Sequence, residues 1–329
     1  MQQKFWCLFL LLLFCLSAVW AQPAALAPAG PAPAKPTIKI PVWVEKEEGI
    51  FWNDGKRQAF KVFLEDKEVA IKSFQTPQSG SILLVVFDTV ADLTRVEEAR
   101  AALQDTLKDF NEQYWIGLLR AQDGLSVLQE PTADRNLLQE KIQSLEVNGK
   151  AGLLDTLEPV SQLATAILQK AAVRVSVLYV TDSGIGNYRA DYLNPVINSS
   201  DAGDLSRRFS DRAVQERISR LSESLNSFTV PLFILHLEQR SDTLNLAYQS
   251  GLERIAADSG GLAILCRTTD EIRPSLQNLI NRIRASYVVA VEPPATKRQS
   301  LKVRVEAQNT DGGSFHRITH VNQLTIKKK

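Results

Sequence analysis

SILLVVFDTVAD, residues 81–92, is the stretch from which the fold of this chain is inferred. Its first seven residues carry no charge, as expected of a strand that is buried on both faces of a mostly parallel sheet. Asp88 and Asp92 follow at once. Because such sheets bind ligands just beyond the carboxyl ends of their strands, this stretch predicts both a class of fold and the edge where a functional site would lie.

A second apolar strand ends in the same way. Residues 173–180 are VRVSVLYV, and they lead into Thr181-Asp182-Ser183-Gly184. The carboxyl ends of parallel strands meet at one edge of a sheet, so Asp182 is expected to lie near Asp88 and Asp92. We therefore predict a functional site at this edge.

Between residues 79 and 285, predicted strands and helices alternate. The helices are predicted at 93–112, 135–145, 152–169, 210–227, 243–258 and 268–283, and the strands at 81–87, 114–120, 125–129, 173–181, 230–237 and 262–265. This order predicts an α/β fold in which a doubly wound, mostly parallel sheet has helices on both faces. Residues 184–209 are polar and aperiodic, and a loop of that length is typical of a functional segment.

Both ends of the chain have the alternating pattern of half-buried strands. Residues 37–78 contain three predicted strands, at 38–44, 60–64 and 69–74, and residues 286–329 contain three more, at 287–291, 301–305 and 315–324, before a basic tail. Neither stretch is large enough to bury a core alone. We predict that the two ends form one small antiparallel β-subdomain.

The first 36 residues indicate export. Lys4 and the apolar run at 5–16 predict a signal peptide over residues 1–21, and residues 22–36 predict an extended Pro/Ala-rich linker. The apolar run is too short to span a bilayer, so no transmembrane segment is expected after cleavage. The location would be the periplasm, the cell surface or the medium. With 38 basic and 37 acidic residues, the chain lacks the charge that a nucleic-acid partner favours.

The order of the predicted elements resembles that of a von Willebrand factor type A (VWA) domain. The features that carry the resemblance are the strand with Asp88 and Asp92, the helix, the hairpin, the Gly-x-x-x-Leu-Leu-Asp loop at 149–155 and the strand that ends in Thr-Asp-Ser-Gly. The flanking segments Val42-Trp43-Val44 and Ser286-Tyr287-Val288-Val289 are similar to those of secreted "VWFA-related" proteins of Acidobacteria. The resemblance covers about residues 38–306 and implies a Rossmann-like fold and a binding or adhesion function.

The resemblance also implies a metal site, but here the motif is incomplete. In the family, Asp-x-Ser-x-Ser, a Thr in a later loop and an Asp after the following strand surround Mg²⁺ in the metal-ion-dependent adhesion site. Asp88 and Asp182 match the two aspartates, whereas Val90, Asp92 and Ala151 replace the hydroxyl ligands. Two interpretations stay open. Either the site is degenerate and binds a metal very weakly or not at all, or Asp88, Asp92 and Asp182 form a rebuilt, carboxylate-rich site that attracts Ca²⁺ or Mg²⁺ strongly.

The same edge supplies the residues predicted to bind a partner, which is a protein or a glycan. They are Thr89, Lys150 and Ser183 at the edge, and Tyr188, Arg189, Tyr192, Arg207 and Arg208 in the long loop. The predicted function is that of a non-enzymatic binding or adhesion protein that acts without a metal or with a weakly bound Mg²⁺ or Ca²⁺. Two alternatives are a metal-dependent adhesion module and a hydrolase that uses the aspartates with a divalent ion. Against the hydrolase, the sequence has no nucleophile with an identifiable base beside it.

Overall fold

A computed structural model describes residues 37–188, 211–294, 300–309 and 313–325, which belong to one compact unit. The strands of its central sheet are β6 (Ser81–Asp88), β7 (Tyr114–Arg120), β8 (Ser126–Thr132), β9 (Arg174–Thr181), β10 (Leu232–His236) and β11 (Leu262–Leu265). The helices are α1 (Leu93–Lys108), α2 (Arg135–Gln143), α3 (Leu153–Lys170), α4 (Asp211–Leu225), α5 (Thr243–Asp258) and α6 (Ile272–Arg284).

The central sheet is mostly parallel, with strand order β11-β10-β9-β6-β7-β8. Only β8, at one edge, is antiparallel to its neighbour among these six strands. β6, which has no charged residue before Asp88, lies between β9 and β7, where neighbours on both sides exclude water from its backbone and helices cover its side chains. Pairing of Asp88 with Thr181 brings the carboxyl ends of β6 and β9 together.

Each face of the central sheet has its own hydrophobic core. Leu83, Val85 and Phe87 of β6 pack on one face with buried side chains of α1, α2 and α6. Leu84 and Val86 point the other way and pack with α3, α4 and α5. The alternation follows from the two-residue period of a strand. The predicted α/β architecture with helices on both faces is therefore confirmed.

Strands from the two ends of the chain pair with each other in two antiparallel sheets. The first has the order β14-β1-β12-β5 with β2 beside β1, and its strands are β1 (Ile38–Glu47), β2 (Ile50–Phe51), β5 (Ile71–Gln75), β12 (Tyr287–Val291) and β14 (Arg317–His320). The second has the order β15-β13-β3-β4, with β3 (Phe60–Leu64), β4 (Lys67–Val69), β13 (Ser300–Ala307) and β15 (Gln323–Thr325).

These outer sheets are not separated from the central sheet. Trp43 of β1 is fully buried, its ring lies 6.1 Å from that of Phe233 in β10, and its Nε1 donates to the carbonyl oxygen of Arg282 at 2.7 Å. That the chain ends form a subdomain of their own stays a prediction.

Two predicted strands are each divided in two. Residues 69–74 were expected as one strand, but β4 pairs with β3 in one sheet and β5 pairs with β12 in the other. Residues 315–324 likewise divide into β14 and β15, which belong to different sheets. The short strand β2 was not predicted. All six predicted helices are present, although α1 ends at Lys108 and a 3₁₀ turn, Thr269–Glu271, precedes α6.

None of the helices in the described part of the chain has the length and apolar character that crossing a membrane requires.

Candidate functional site

Asp88 and Asp182 lie side by side at the carboxyl edge of the central sheet. Asp88 is the last residue of β6, and Asp182 follows β9 directly. Both residues are fully buried, and the backbone N–H of Asp182 donates to the backbone oxygen of Asp88 at 3.4 Å. A buried carboxylate requires hydrogen-bond donors, so the partners of these two groups determine what the site can bind.

Three protein donors surround the carboxylate of Asp88. Its Oδ1 accepts from the backbone N–H of Gly152 at 2.8 Å, and its Oδ2 accepts from Ser183 Oγ at 2.6 Å and Thr181 Oγ1 at 3.1 Å. Burial raises the pKa of Asp88 above its usual value, because a low dielectric disfavours the charged form. The three donors oppose that rise without cancelling it.

Three consecutive backbone N–H groups bind the carboxylate of Asp182. Oδ1 accepts from Val90 at 2.7 Å, and Oδ2 accepts from Ala91 at 2.9 Å and from Asp92 at 2.7 Å. We call this set of contacts, formed by Asp182 and the N–H groups of residues 90–92, the Asp182 clamp. It fixes the loop between β6 and α1 to the end of β9. Hydrogen bonds to an ionised acceptor are among the stronger ones in proteins.

The third predicted ligand, Asp92, has a different role. Its Oδ1 accepts from the backbone N–H of Arg95 at 3.1 Å, as an N-cap of α1 does, and its Oδ2 lies 3.2 Å from Arg95 Nε. The guanidinium of Arg95 also donates to the backbone oxygens of Leu237 and Arg267. The side chain of Asp92 therefore caps a helix and does not join the carboxylates of Asp88 and Asp182.

These residues do not fit the Mg²⁺ that the resemblance implies. The oxygens of Asp88 and Asp182 already accept hydrogen bonds from protein donors, and donors and a cation compete for the same lone pairs. Val90 and Ala151 have no side-chain oxygen. Within the described ranges, no group of three or more His, Cys, Asp or Glu side chains is placed to hold a metal ion.

Three residues predicted to bind a partner are buried instead. Thr89 accepts from Gln122 Nε2 through its backbone oxygen at 2.8 Å and its Oγ1 at 3.2 Å. Ser183 is bound to Asp88, and Tyr188, only 1% exposed, packs 6.2 Å from the ring of Tyr248. A partner cannot reach these side chains, so the prediction of surface contacts at Thr89, Ser183 and Tyr188 was wrong.

Beside this buried cluster, His236 is a neutral histidine. Its Nε2 lies 2.9 Å from the backbone oxygen of Ser183, and the backbone N–H of Glu238 donates to its Nδ1 at 3.3 Å. One ring nitrogen thus donates and the other accepts, as in the uncharged ring. Burial lowers the pKa of His236 to about 4.

Among the described residues, the accessible part of this edge includes Lys150 and Leu93, which are exposed, and Asp92, which is partly exposed. Lys150 lies in the loop before α3, where its backbone N–H donates to Asp123 Oδ1 at 2.9 Å and its oxygen accepts from the N–H of Asp123 at 3.0 Å. Leu93, the first residue of α1, is 59% exposed. The predicted contact residues Arg189, Tyr192, Arg207 and Arg208 lie outside the described residues.

Sequence reasoning gave no role to two residues that position Asp88. Thr181 belongs to the Thr-Asp-Ser-Gly motif, but only its hydroxyl bond to Asp88 shows its contribution. Gly152 supplies an N–H to Asp88, and a Cβ at this position would lie 1.9 Å from the backbone oxygen of Ala121. The sequence signal that could have identified Gly152 was a glycine at the point where a loop leads into a predicted helix.

No protein-family model matches the sequence, and curated proteins give no significant match. Solved structures with a similar fold include the PilB minor pilin from Streptococcus sanguinis, with 14% identity over 66% of this chain and 63% of the pilin, and a TM-score of 0.47. The chain thus spans less than two thirds of that protein. A von Willebrand factor type A protein from Catenulispora acidiphila has 12% identity over 81% of this chain and 73% of its own, with a TM-score of 0.44.

An aerotolerance-related membrane protein from Bacteroides fragilis has 11% identity over 62% of this chain and all of its own, with a TM-score of 0.39. No functional property is transferred from these proteins at such identities. The structure contains the element order on which the resemblance rests. β6 ends in Asp88 and is followed by α1, the β7–β8 hairpin, α2 and α3, and then by β9, which leads to Asp182. The α/β unit of this chain therefore has a VWA-like fold.

Proposed function

We propose that the chain is an exported, non-enzymatic adhesion-type module that binds a protein or glycan through the carboxyl edge of its VWA-like unit without a metal ion. In this proposal, residues 22–36 are a linker that follows a cleaved signal peptide. The antiparallel strands from both chain ends form a β-subdomain that supports the binding unit.

The Asp182 clamp is the observation that carries the proposal. A cation at this edge would have to displace backbone N–H groups from Asp182 and hydroxyl groups from Asp88, and each displaced buried donor would lose its partner. Leaving one such donor unpaired costs about 1–3 kcal/mol. The donors already supply the positive partial charge that a cation would bring, which favours recognition without a metal.

The exposed edge has the mixed chemistry of an interaction surface. Leu93 is an apolar contact, Lys150 carries a positive charge, and the side chain of Asp92 is 37% exposed. The clamp ties the residues just before α1 to the end of β9, which favours an arrangement in which Asp92 and Leu93 are positioned before a partner arrives. Preorganisation of this kind lowers the entropic cost of binding.

The buried hydroxyl of Ser183 supports the non-enzymatic part of the proposal. Ser183 Oγ bonds Asp88 at 2.6 Å and is inaccessible, while His236 bonds the backbone oxygen of Ser183 and not its hydroxyl. A nucleophile needs an accessible oxygen and a base on its proton. This arrangement stabilises a buried polar cluster and does not favour the hydrolase alternative.

The proposal can be tested by photo-crosslinking in the cells that produce the chain. A photoreactive phenylalanine analogue replaces Leu93 at the edge or, as the matched control, Leu163, which is an exposed leucine in the interior of α3. We expect a discrete crosslinked partner from position 93 and none from position 163, unchanged by EDTA and lost when Lys150→Glu is added. Equal crosslinking from both positions would contradict the edge as the binding surface, and loss with EDTA would contradict metal independence.

A further inference from the structure

A groove at the opposite edge of the central sheet is not used by the proposed function. It has a volume of about 520 Å³, within the range of about 300–1,000 Å³ that is usual for binding pockets. It lies where β7 begins and α6 ends, below the β1–β2 hairpin. Its walls include Gly49, Ile50 and Phe51 of the β1–β2 hairpin, Tyr114 at the start of β7, and Arg284 at the end of α6.

Three guanidinium groups lie in or behind this groove, around the rings of Phe110 and Tyr114, which pack edge to face with centroids 4.8 Å apart. Arg284 lines the groove with its Cζ 5.5 Å from the Phe110 ring. Arg174, which is 1% exposed, donates to Tyr114 Oη at 2.9 Å and to the backbone oxygen of Pro77 at 2.8 Å. Arg135 donates to the backbone oxygen of Tyr114 at 2.6 Å.

Within the part of the chain that the structure describes, no carboxylate pairs with any of these three guanidinium groups. Every hydrogen-bond acceptor of Arg174 and Arg135 in the described part of the chain is an uncharged carbonyl or hydroxyl oxygen, and no carboxylate forms an ion pair with either. The guanidinium of Arg284 makes no hydrogen bond or ion pair with any described residue. Arg135 Nη1 is buried without a hydrogen-bond partner there. Arg174 is buried and Arg135 and Arg284 are partly buried, and a guanidinium shielded from water without a counter-ion attracts negative charge.

The walls contain no acidic residue. Glu48, Asp54 and Glu112 are sequence neighbours of wall residues, but all three are exposed and none lines the groove. Besides Arg284, the polar wall residues are the uncharged amides Asn53, Gln78, Asn111, Gln113 and Asn281. The groove is thus complementary to a carboxylate, with amide groups beside it that can bind a peptide backbone.

The strand on its rim favours an extended ligand. Among the described strands, β2 pairs only with β1, so its other edge has backbone groups with no strand partner. Ile50 of β2 is 54% exposed, and Phe51 lies beside it. An extended peptide can add to such an edge strand through backbone hydrogen bonds and place alternate side chains in an adjacent groove.

We propose that this groove binds an extended acidic peptide segment of a partner protein. A Glu or Asp of that segment pairs with Arg284, an apolar side chain packs on Ile50, and the peptide backbone pairs with β2. Arg is well suited to such contacts, because its planar fork binds a carboxylate through two parallel hydrogen bonds. This binding is separate from the carboxyl edge and does not depend on what that edge recognises.

Selection from a display library of random 12-residue peptides on the protein spanning residues 22–329 tests the proposal. The selected peptides are then measured against Arg284→Gln, which removes the charge and retains an amide, and against Arg284→Glu. Arg254→Gln is the matched control, since Arg254 is a 57% exposed arginine on α5, which packs on the other face of the sheet. Thermal unfolding checks that each variant is folded.

We expect the selected peptides to be enriched in Asp and Glu over the input library. Arg284→Gln should weaken them about tenfold, as the loss of one charged contact does, and Arg254→Gln should not. Arg284→Glu should no longer select acidic sequences. A selection that yields no peptide, peptides without acidic enrichment, or peptides that bind folded Arg284→Gln as tightly as the unmodified protein would overturn the proposal.

Discussion

The carboxylate of Asp182 accepts a hydrogen bond from the backbone N–H of Asp92 at 2.7 Å, across 90 residues of sequence. Two residues that the sequence suggested as ligands of one cation are therefore bonded directly to each other. The contact joins the end of β9 to the beginning of α1 and runs from a backbone N–H to a side chain, not between the two carboxylates.

Asp182→Asn should destabilise the protein. The amide nitrogen of asparagine cannot accept a hydrogen bond, so at least one N–H of the Asp182 clamp would lose its partner. We expect the free energy of unfolding to fall by about 1–3 kcal/mol in urea denaturation. Asp155→Asn, at a half-exposed residue paired with Arg217, is the control and should change it by less than about 0.5 kcal/mol. If Asp182→Asn and Asp155→Asn were equally stable, the claim that the Asp182 clamp stabilises the fold would be contradicted.

Gly152→Ala should also destabilise the fold, for a steric reason. The new Cβ would lie 1.9 Å from the backbone oxygen of Ala121, so the loop must move and weaken the bond from the Gly152 N–H to Asp88. A loss of about 1–3 kcal/mol is expected in the same assay. Gly186→Ala is the matched control, because its Cβ would meet no atom within 4 Å. A Gly152→Ala variant as stable as this control would show that the loop accommodates a side chain.

The raised pKa of Asp88 predicts a particular pH dependence. Burial raises that pKa, so the folded protein retains a proton that the unfolded chain has released at the same pH. The stabilising contribution is present below the unfolded pKa and is lost as the pH rises through the folded one. Asp88→Asn cannot ionise, and its amide can donate to the hydroxyl oxygens of Thr181 and Ser183.

Stability measured across pH should therefore separate the two proteins. As the pH rises from acid, the unmodified protein should lose free energy of unfolding relative to Asp88→Asn. Parallel curves would mean that the carboxyl of Asp88 has the same pKa in both states.

His236 should have the opposite dependence. Burial lowers its pKa to about 4, whereas an unfolded histidine ionises near about 6.5. The stability it contributes is present above the unfolded pKa and is lost as the pH falls from about 6.5 to about 4. A titration of the His236 ring by NMR should give a midpoint near 4. A midpoint close to 6.5 would be inconsistent with a buried neutral ring bonded to Ser183.

The central sheet could be predicted because its signals are local and strong. The apolar run of β6 before Asp88 and the periodic pattern of α5 each indicate their own structure, and α5 has the predicted bounds of Thr243–Asp258. The divided strands could not be predicted in the same way. The alternating pattern of residues continues across Ala70 without a break. Even so, β4 and β5 pair in different sheets, because the sheet that a strand joins depends on partners distant in sequence.

The residue types in the sequence predicted at which edge of the sheet the site lies, but not which contacts its side chains make. Asp88 and Asp182 were correctly placed at one edge, because the ends of parallel strands determine it. The burial of Tyr188 was not foreseen, since a tyrosine after Gly-Ile-Gly-Asn in a polar stretch has the composition of a surface loop. Its burial depends on the 3₁₀ turn Ile185–Tyr188, which directs the ring toward Tyr248 on α5.

Calorimetric titration of Mg²⁺, Ca²⁺ and Mn²⁺ into the protein spanning residues 22–329, alongside Asp88→Ala, tests the central claim most directly. Protein donors bind Asp88 and Asp182, so we expect no binding heat up to millimolar ion from folded protein, and the same result from the variant. Micromolar binding that Asp88→Ala abolishes would contradict the account, because a cation would then displace the Asp182 clamp.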